Sequence, residues 1–364
     1  MRVVVALGGN ALLERGERPD AVIQRRHVRK AAAALAPLTA GHQLVLCHGN
    51  GPQVGVLALE TESDASLSRP YPLDVLVAQT QGMIGYWLVQ ELRNAGAAQR
   101  AACVLSQVIV DPSDPAFGSP SKFIGAGYGR DEAQALAARL GWAIAADGPR
   151  WRRVVASPRP RGLVEIDTVR SLVDAGVLVV CGGGGGVPVA RSADGQLAGL
   201  EAVVDKDLTA AELAVTLKAD RLLVLTDVPA VISGYGTPDA QPIQAIDADA
   251  LSAMTFPAGS MGPKVEACIR FVRATGQPAA IGALADAAGI LAGRAGTTIS
   301  PGNPGAVKLA RPGQPPRRAR ASLRGAPGPG RGARTRGQDT VARTRWPGHG
   351  HRGTTRQFSV RFYR

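Results

Sequence analysis

Three lysines and an aspartate stand out for where they fall among the 364 residues. Lys206 and Asp207 follow Asp205 at the start of a helical segment, with apolar residues close on both sides. A carboxylate there complements the helix dipole and can hold an ammonium group in one position. Lys264 follows Pro263, a residue suited to a first helical turn, where the dipole disfavours a cation. A bound phosphate would account for a lysine in that place. Lys122 is the one cation in the first half of a long turn-rich stretch, and composition alone makes it a solvated surface residue. The lysines are accompanied by three glycine turns, each at the end of an apolar run: Val3–Leu7 into Gly8-Gly9-Asn10, 43–47 into His48-Gly49-Asn50-Gly51, and 177–181 into Gly182–Gly186. Glycine lets backbone N–H groups approach an anion without a Cβ in the way. Ammonium groups and convergent N–H donors suit phosphoryl transfer, which needs two substrates held in line and the moving charge neutralised. One preorganised donor of this kind is worth about 3–4 kcal/mol of barrier. No histidine or serine constellation suggests a covalent intermediate, and His48 reads as a structural residue beside a turn. One feature of the first turn is unusual for a phosphate loop: Ala6–Leu13 contains no lysine or arginine.

These residues need elements to position them. Helical character runs over 26–38, 73–93, 131–140, 166–175 and 209–218, and from Pro263 to about 273. The 73–93 segment carries apolar residues around much of its circumference, which suits a helix buried on two sides or packed on a second subunit. Strand-like runs are 3–7, 43–47, 101–110, 177–181, 221–225 and 279–282, with 290–299 closing the folded body. Strands alternating with helices imply a mostly parallel sheet covered on both faces. In such sheets ligands bind at the carboxyl ends of the strands, where the glycine turns lie. Residues 111–158 are too long and too rich in turns for a simple connection, and read as a flap projecting from the sheet. Neither a P-loop motif nor a dinucleotide fingerprint is present.

Charge is unevenly distributed. Residues 302–364 contain fourteen Arg, one Lys and one Asp, a net of +14, whereas the whole chain is +13, so residues 1–301 carry about −1. This Arg-, Gly- and Pro-rich tail lacks apolar periodicity and is expected to be disordered. Its aromatic residues are bunched late, so nucleic-acid binding by a basic arm is the lesser reading. Cys47, Cys103, Cys181 and Cys268 are far apart without metal-ligand spacing, and read as buried thiols in a reducing compartment. No run approaches the roughly 18 apolar residues of a membrane span, and the N-terminal apolar run is too short for a signal segment, so a cytoplasmic protein is expected.

Taken together and in order, Leu7-Gly8-Gly9-Asn10-Ala11, His48–Gly55, Lys122-Phe123-Ile124-Gly125, Cys181–Val189, Asp205-Lys206-Asp207 and Gly259–Ala267 resemble the carbamate kinases of the amino-acid kinase family. The resemblance spans roughly residues 1–300. It implies an α/β protein: a three-layer α/β/α sandwich around a mainly parallel eight-stranded sheet, with a small protruding subdomain at 111–158, a kinase domain at 1–301, and a tail at 302–364 that matches nothing in the family. It implies reversible transfer of a phosphoryl group between ATP and carbamate, giving ADP and carbamoyl phosphate, with Mg2+ and usually as a homodimer. In arginine catabolism the reaction commonly runs towards ATP. Carried over by position, Gly8, Gly9, Asn10, Gly49, Asn50 and Gly51 would line the carbamate and phosphoryl site. Lys206 and Lys264 would bridge to the phosphates with Asp207 organising them, and Lys122 would reach in from the flap. Gly183, Gly184, Gly185, Thr226, Asp227, Tyr235 and Met261 would lie near the nucleotide. No metal ligands are identified. Relatives acting on acetylglutamate, aspartate or a nucleoside monophosphate carry a lysine two residues before the Gly-Gly pair, where this chain has Ala6, and lack the flap lysine. A non-catalytic nucleotide- or nucleic-acid-binding protein is the remaining alternative, and an extension by read-through or frame shift is the preferred origin of the tail.

Overall fold

A computed structural model of the chain describes residues 1–9, 12–14, 16–97, 99–256, 261–302 and 307–309. Asn10, Gly259, Ser260 and nearly all of the tail, including its expected disorder, therefore lie outside the described residues.

Eight strands form the centre of the molecule: β1 (Arg2–Leu7), β2 (Gln43–His48), β3 (Ala101–Cys103), β4 (Leu178–Val180), β5 (Arg221–Thr226), β6 (Gln241–Asp247), β7 (Ala279–Ala283) and β8 (Thr297–Ser300). Their order across the sheet is β6-β8-β7-β5-β1-β2-β4-β3. Every neighbouring pair is parallel except β7 with β8. Two short strands, Ile232–Ser233 and Val307–Leu309, pair antiparallel with β6 and bring the sheet to ten. The sequence reading ended the folded body at residue 301 and missed β6. Pairing with β6 is what carries the chain to Leu309 as ordered strand.

The two faces follow from alternation along the strands. Val3, Val5 and Leu7 join Leu44, Leu46, Leu223 and Leu225 on one face, where helices α1 (Ala21–Leu35), α3 (Leu73–Asn94) and α9 (Ala287–Leu291) cover them. Val4 and Ala6 join Val45, Cys47, Leu222 and Val224 on the other face, beneath α5 (Ile166–Asp174), α6 (Lys206–Thr216) and α8 (Gly262–Thr275). A sheet covered on both sides needs apolar residues at consecutive positions, as β1 has. Burying each such Val or Leu contributes about 1.5–3 kcal/mol.

The run expected as one strand over 101–110 is divided. Ala101–Cys103 stays in the main sheet, and Gln107–Ile109 enters a second, four-stranded sheet with Leu197–Gly199, Val187–Arg191 and Gly162–Leu163. Ser106 makes the break. Its N–H donates to Gln81 Oε1 at 2.9 Å, its carbonyl accepts from Gln81 Nε2 at 3.0 Å and from the Val187 N–H at 2.8 Å, and its hydroxyl accepts from the Gly182 N–H at 2.8 Å. Cys103, expected to be buried, is exposed on the edge strand β3.

The flap is a three-stranded antiparallel sheet, Lys122–Tyr128, Arg150–Val155 and Ala143–Asp147, with helix α4 (Arg130–Leu140). It rests on helix α2 (Gly51–Ser63). A Cβ on Gly55 would stand 2.1 Å from Gly125 Cα, so only glycine permits this approach. At the far end of α2, Glu62 accepts from Trp142 Nε1 at 3.2 Å and from Arg153 at 2.9 Å.

Candidate active site

The charged cluster is built on the first turn of α6. Asp205 caps the helix, its Oδ1 accepting the Asp207 N–H at 2.9 Å. Leu208, Ala210, Ala211, Leu213 and Ala214 are buried in the core beneath, which fixes the axis and holds Lys206 and Asp207 at the helix N-terminus. Asp207 takes two ammonium groups, one on each oxygen: Lys206 Nζ at 2.7 Å and Lys264 Nζ at 3.0 Å. Lys264 comes from the start of α8, which packs against α6 and begins with Pro263 in its first turn. Lys122, the first residue of its flap strand, reaches across to pair with Asp205 Oδ2.

Burial and pairing oppose each other in this cluster. Burial pushes the Asp207 carboxyl up, and the ammonium groups of Lys206 and Lys264 more than reverse this, so it lies below the ordinary carboxylate range. Burial likewise raises Asp205, and Lys122 reverses it. For Lys206 burial wins despite Asp207, and its proton affinity drops below that of an ordinary lysine. Lys264 is also penalised by burial, but Asp207, Asp205 and Asp227 together raise it.

The glycine turns converge on the same place. A Cβ on Gly49 would lie 3.4 Å from Lys206 Cδ and 3.5 Å from Gly9 Cα, so the first two turns and Lys206 border one spot. The turns do not contribute as five equal N–H donors. Gly8 N–H donates to the Leu225 carbonyl at 2.8 Å and Gly49 N–H to the Leu7 carbonyl at 3.3 Å, so both are spent in the sheet. These two glycines make space, since a Cβ on Gly8 would come 3.1 Å from the Leu225 oxygen. The N–H groups of Gly9, Asn50 and Gly51 donate to no described residue. Gly51 opens α2, where the dipole favours an anion. The Asn50 side chain is buried and donates to Thr80 Oγ1 at 2.9 Å.

The third turn serves differently. Gly183, Gly184 and Gly185 were expected near the nucleotide. They are buried, and the room for their missing side chains is filled by His48 Nε2 at 2.3 Å, Asn50 Nδ2 at 2.2 Å and the Val204 carbonyl at 2.3 Å respectively. The run packs against the second turn, and its missing side chains make room for His48, Asn50 and Val204. Sequence alone could not show this, because a glycine that makes room for a ligand and one that makes room for a side chain look identical. His48 belongs to this packing: its ring is buried, Nδ1 bonds the Gly49 carbonyl at 2.9 Å, and burial holds its pKa down at about 4.

Thr226 ends β5 beside Gly8 and donates to Asp227 Oδ1 at 3.0 Å. Asp227 is near enough to Lys264 to raise its proton affinity. Met261 caps α8 and packs on the core, and Tyr235 stands 78% exposed beyond Ile232–Ser233. Among the described residues no group of three histidine, cysteine or carboxylate side chains could hold a metal ion. No helix among them is long and apolar enough to cross a membrane. The sequence reading noted Asp205 in a charged triplet whose carboxylates complement the helix dipole, but did not place it among the site residues. Its alternation with Lys206 and Asp207 was the only signal, and that does not reveal a partner 83 positions away.

The family model described as the amino acid kinase family matches residues 1–283. The chain belongs to the amino acid kinase family. Within this family it is 50% identical over 303 residues to the carbamate kinase of Rhizobium meliloti (strain 1021), spanning 82% of this chain and 93% of that protein. Among solved structures it resembles carbamate kinase from Giardia lamblia bound to citric acid, with a TM-score of 0.78 and 39% identity over 82% of this chain and 98% of that one. The Giardia lamblia enzyme bound to AMP-PNP is similar, with a TM-score of 0.74 and 41% identity over 82% and 98%.

Proposed function

We propose that the chain is a carbamate kinase, catalysing ATP + carbamate = ADP + carbamoyl phosphate in both directions. One observation carries the reading: a buried and a partly buried ammonium group are held apart on a single carboxylate, beside two glycine turns, with a third lysine brought to the same cluster by the flap. Relatives bearing that name, and a similar structure holding a nucleotide analogue, support it. Lys206 and Lys264 lie where they can neutralise the transferring phosphoryl oxygens, and Asp207 keeps both charged and separated. The N–H groups of Gly9, Asn50 and Gly51, which donate to no described residue, are proposed to meet the same phosphoryl group, with Asn10 expected beside them. Asp227, bonded by Thr226, acts on Lys264, and Met261 caps the helix that carries it; with exposed Tyr235 these residues are proposed for the nucleotide. Ala6, fully buried in β1, puts no cation next to the first turn, and Lys122 supplies one from the flap.

Magnesium fits as a cation carried on the nucleotide phosphates. Both oxygens of Asp207 and both of Asp205 are already bonded, and no carboxylate cage is available among the described residues. Magnesium commonly binds through substrate phosphates and water in this manner, and when bound it would neutralise phosphate charge. The chain would work in the cytoplasm as a homodimer. Exposed Val75 and Tyr86 on α3, with exposed Leu105 after the open edge strand β3, offer an apolar face for a second copy. ATP formation during arginine breakdown is the proposed role.

The test is a coupled assay for ATP from ADP and carbamoyl phosphate, run beside acetylglutamate, aspartate and a nucleoside monophosphate as acceptors for ATP. Turnover only with the carbamate couple is expected. A folded chain that phosphorylates one of the other acceptors and leaves carbamoyl phosphate untouched would overturn the reading.

A further inference from the structure

We propose that Asp205 is a positioning residue for phosphoryl transfer. It seats the ammonium group of Lys122 while no phosphate is bound, and its charge sets what an incoming phosphoryl group must overcome to draw that ammonium away. The inference rests on the kinase reading above.

A single carboxylate joins two bodies. Through Oδ1, Asp205 caps α6 by accepting the Asp207 N–H, and through Oδ2 it pairs with Lys122 of the flap. The first turn of the helix carrying Lys206 and Asp207 is thereby tied to the element that covers it. Lys206 and Lys264 share Asp207, with Asp227 close enough to act on Lys264, whereas Lys122 is paired directly with Asp205. Lys122 becomes available only when something competes with Asp205 for it.

A phosphoryl group can compete, because it brings more negative charge than one carboxylate and Coulomb attraction scales with that charge. Asp205, once left, still accepts the Asp207 N–H at the positive end of a helix dipole, an environment that tolerates an unpaired carboxylate. Lys122 is the partner placed to move. Its side chain is 27% exposed against 13% for Asp205, and it stands at the first position of its strand. The other flap anchors, the Gly55–Gly125 contact and the Glu62 bonds to Trp142 and Arg153, do not involve Lys122 and would hold the flap on α2 during the exchange.

Asp205→Asn can keep an acceptor for the Asp207 N–H while it removes the charge and the oxygen that Lys122 bonds. In substrate-free protein, amide hydrogen exchange over Lys122–Tyr128 is expected to quicken by about three- to ten-fold, the range for a part-buried charged bond. Lys122→Ala should produce a similar change, and the double variant no more than either alone. In the coupled assay, Asp205→Asn should lower KM for carbamoyl phosphate by a similar factor while kcat changes less, because no carboxylate then competes for Lys122. Unchanged flap exchange in Asp205→Asn, additive effects of the two substitutions, or a KM that stays or rises would each overturn the proposal. A wild-type chain without carbamoyl phosphate turnover would refute the kinase reading instead, and the exchange cycle would still decide whether Asp205 seats Lys122.

Discussion

Asp207→Asn is the substitution on which the account of the site depends most. The carboxylate is 2% exposed and holds Lys206 and Lys264 on its two oxygens, at 2.7 and 3.0 Å. Asparagine keeps the size and one acceptor, but its NH2 group faces a second donor where an ammonium now sits. Two neighbouring like charges, one buried and one partly buried, lose the counter-charge between them. Removing one member of a buried ion pair costs about 3–5 kcal/mol, because the remaining charge stays desolvated. For a domain of this size that lowers the thermal midpoint by on the order of 10 °C. The rate suffers separately. If the two ammonium groups move apart, at least one preorganised contact to the phosphoryl group is lost, which reduces kcat by about 100- to 1,000-fold. The pH dependence has a definite sign. Burial already puts Lys206 below an ordinary lysine, with Asp207 the strongest influence raising it. In the variant it falls further, so the alkaline limb of kcat/KM moves to lower pH. The unfolded chain then holds a proton that folded Lys206 sheds, so the stability deficit shrinks as pH rises through that range. Coupled assays across pH, with thermal unfolding at each pH, measure both effects. Turnover within about two-fold of wild type, or an alkaline limb displaced to higher pH, would refute the electrostatic account.

Other expectations follow from the same geometry. Lys122→Ala should reduce kcat for carbamoyl phosphate by about 100-fold or more, with KM for ADP nearly unchanged; wild-type turnover would return this lysine to the solvated surface. Gly55→Ala places a methyl group 2.1 Å from Gly125 Cα and must lift the flap from α2; kcat should fall with the main sheet intact by circular dichroism, and a normal kcat would show that the flap's seat does not matter. His48 is held neutral by burial, with a pKa near 4 against 6.5 for the free side chain, so the stability of its neutral form is complete above 6.5 and is lost as pH falls towards 4. His48→Gln should make the acid limb of a stability-against-pH curve shallower by up to about one proton, and an unaltered slope would place the titration elsewhere. Truncation after Leu309 should leave turnover nearly unchanged, whereas truncation after Ser300 also strips Val307–Leu309 from the edge of β6 and should lower the unfolding midpoint; equal midpoints would show that this strand adds nothing.

The parts of the site readable in sequence are those whose chemistry is local. Asp205-Lys206-Asp207 at a helix start, and Pro263 before Lys264, reflect capping and dipole rules that act within one turn. The strands of the central sheet were readable where both faces are buried and the run is continuously apolar, as in β1 and β2. β6 was missed because its burial is mixed, with exposed Pro242 and Gln244 on either side of fully buried Ile243. The strand Lys122–Tyr128 was hidden by its glycines, of which Gly125 serves the contact with α2 and Gly127 lies against Arg150.

The sequence by itself determined the architecture. Apolar runs alternating with amphipathic helices leave little choice but a sheet covered on both faces, with the glycine turns gathered at one end of the strands. It also determined the chemical inventory of lysines, carboxylates and glycines. Only the tertiary structure decided how that inventory is deployed. Lys264 meets Asp207 across 57 positions and Lys122 meets Asp205 across 83. An ion pair is selected by the distance and burial that packing imposes, and neither is written locally in the chain. The same holds for the glycines. Whether one frees an N–H for an anion, spends it in the sheet or makes room for His48 depends on what folding brings to the position where its Cβ would be.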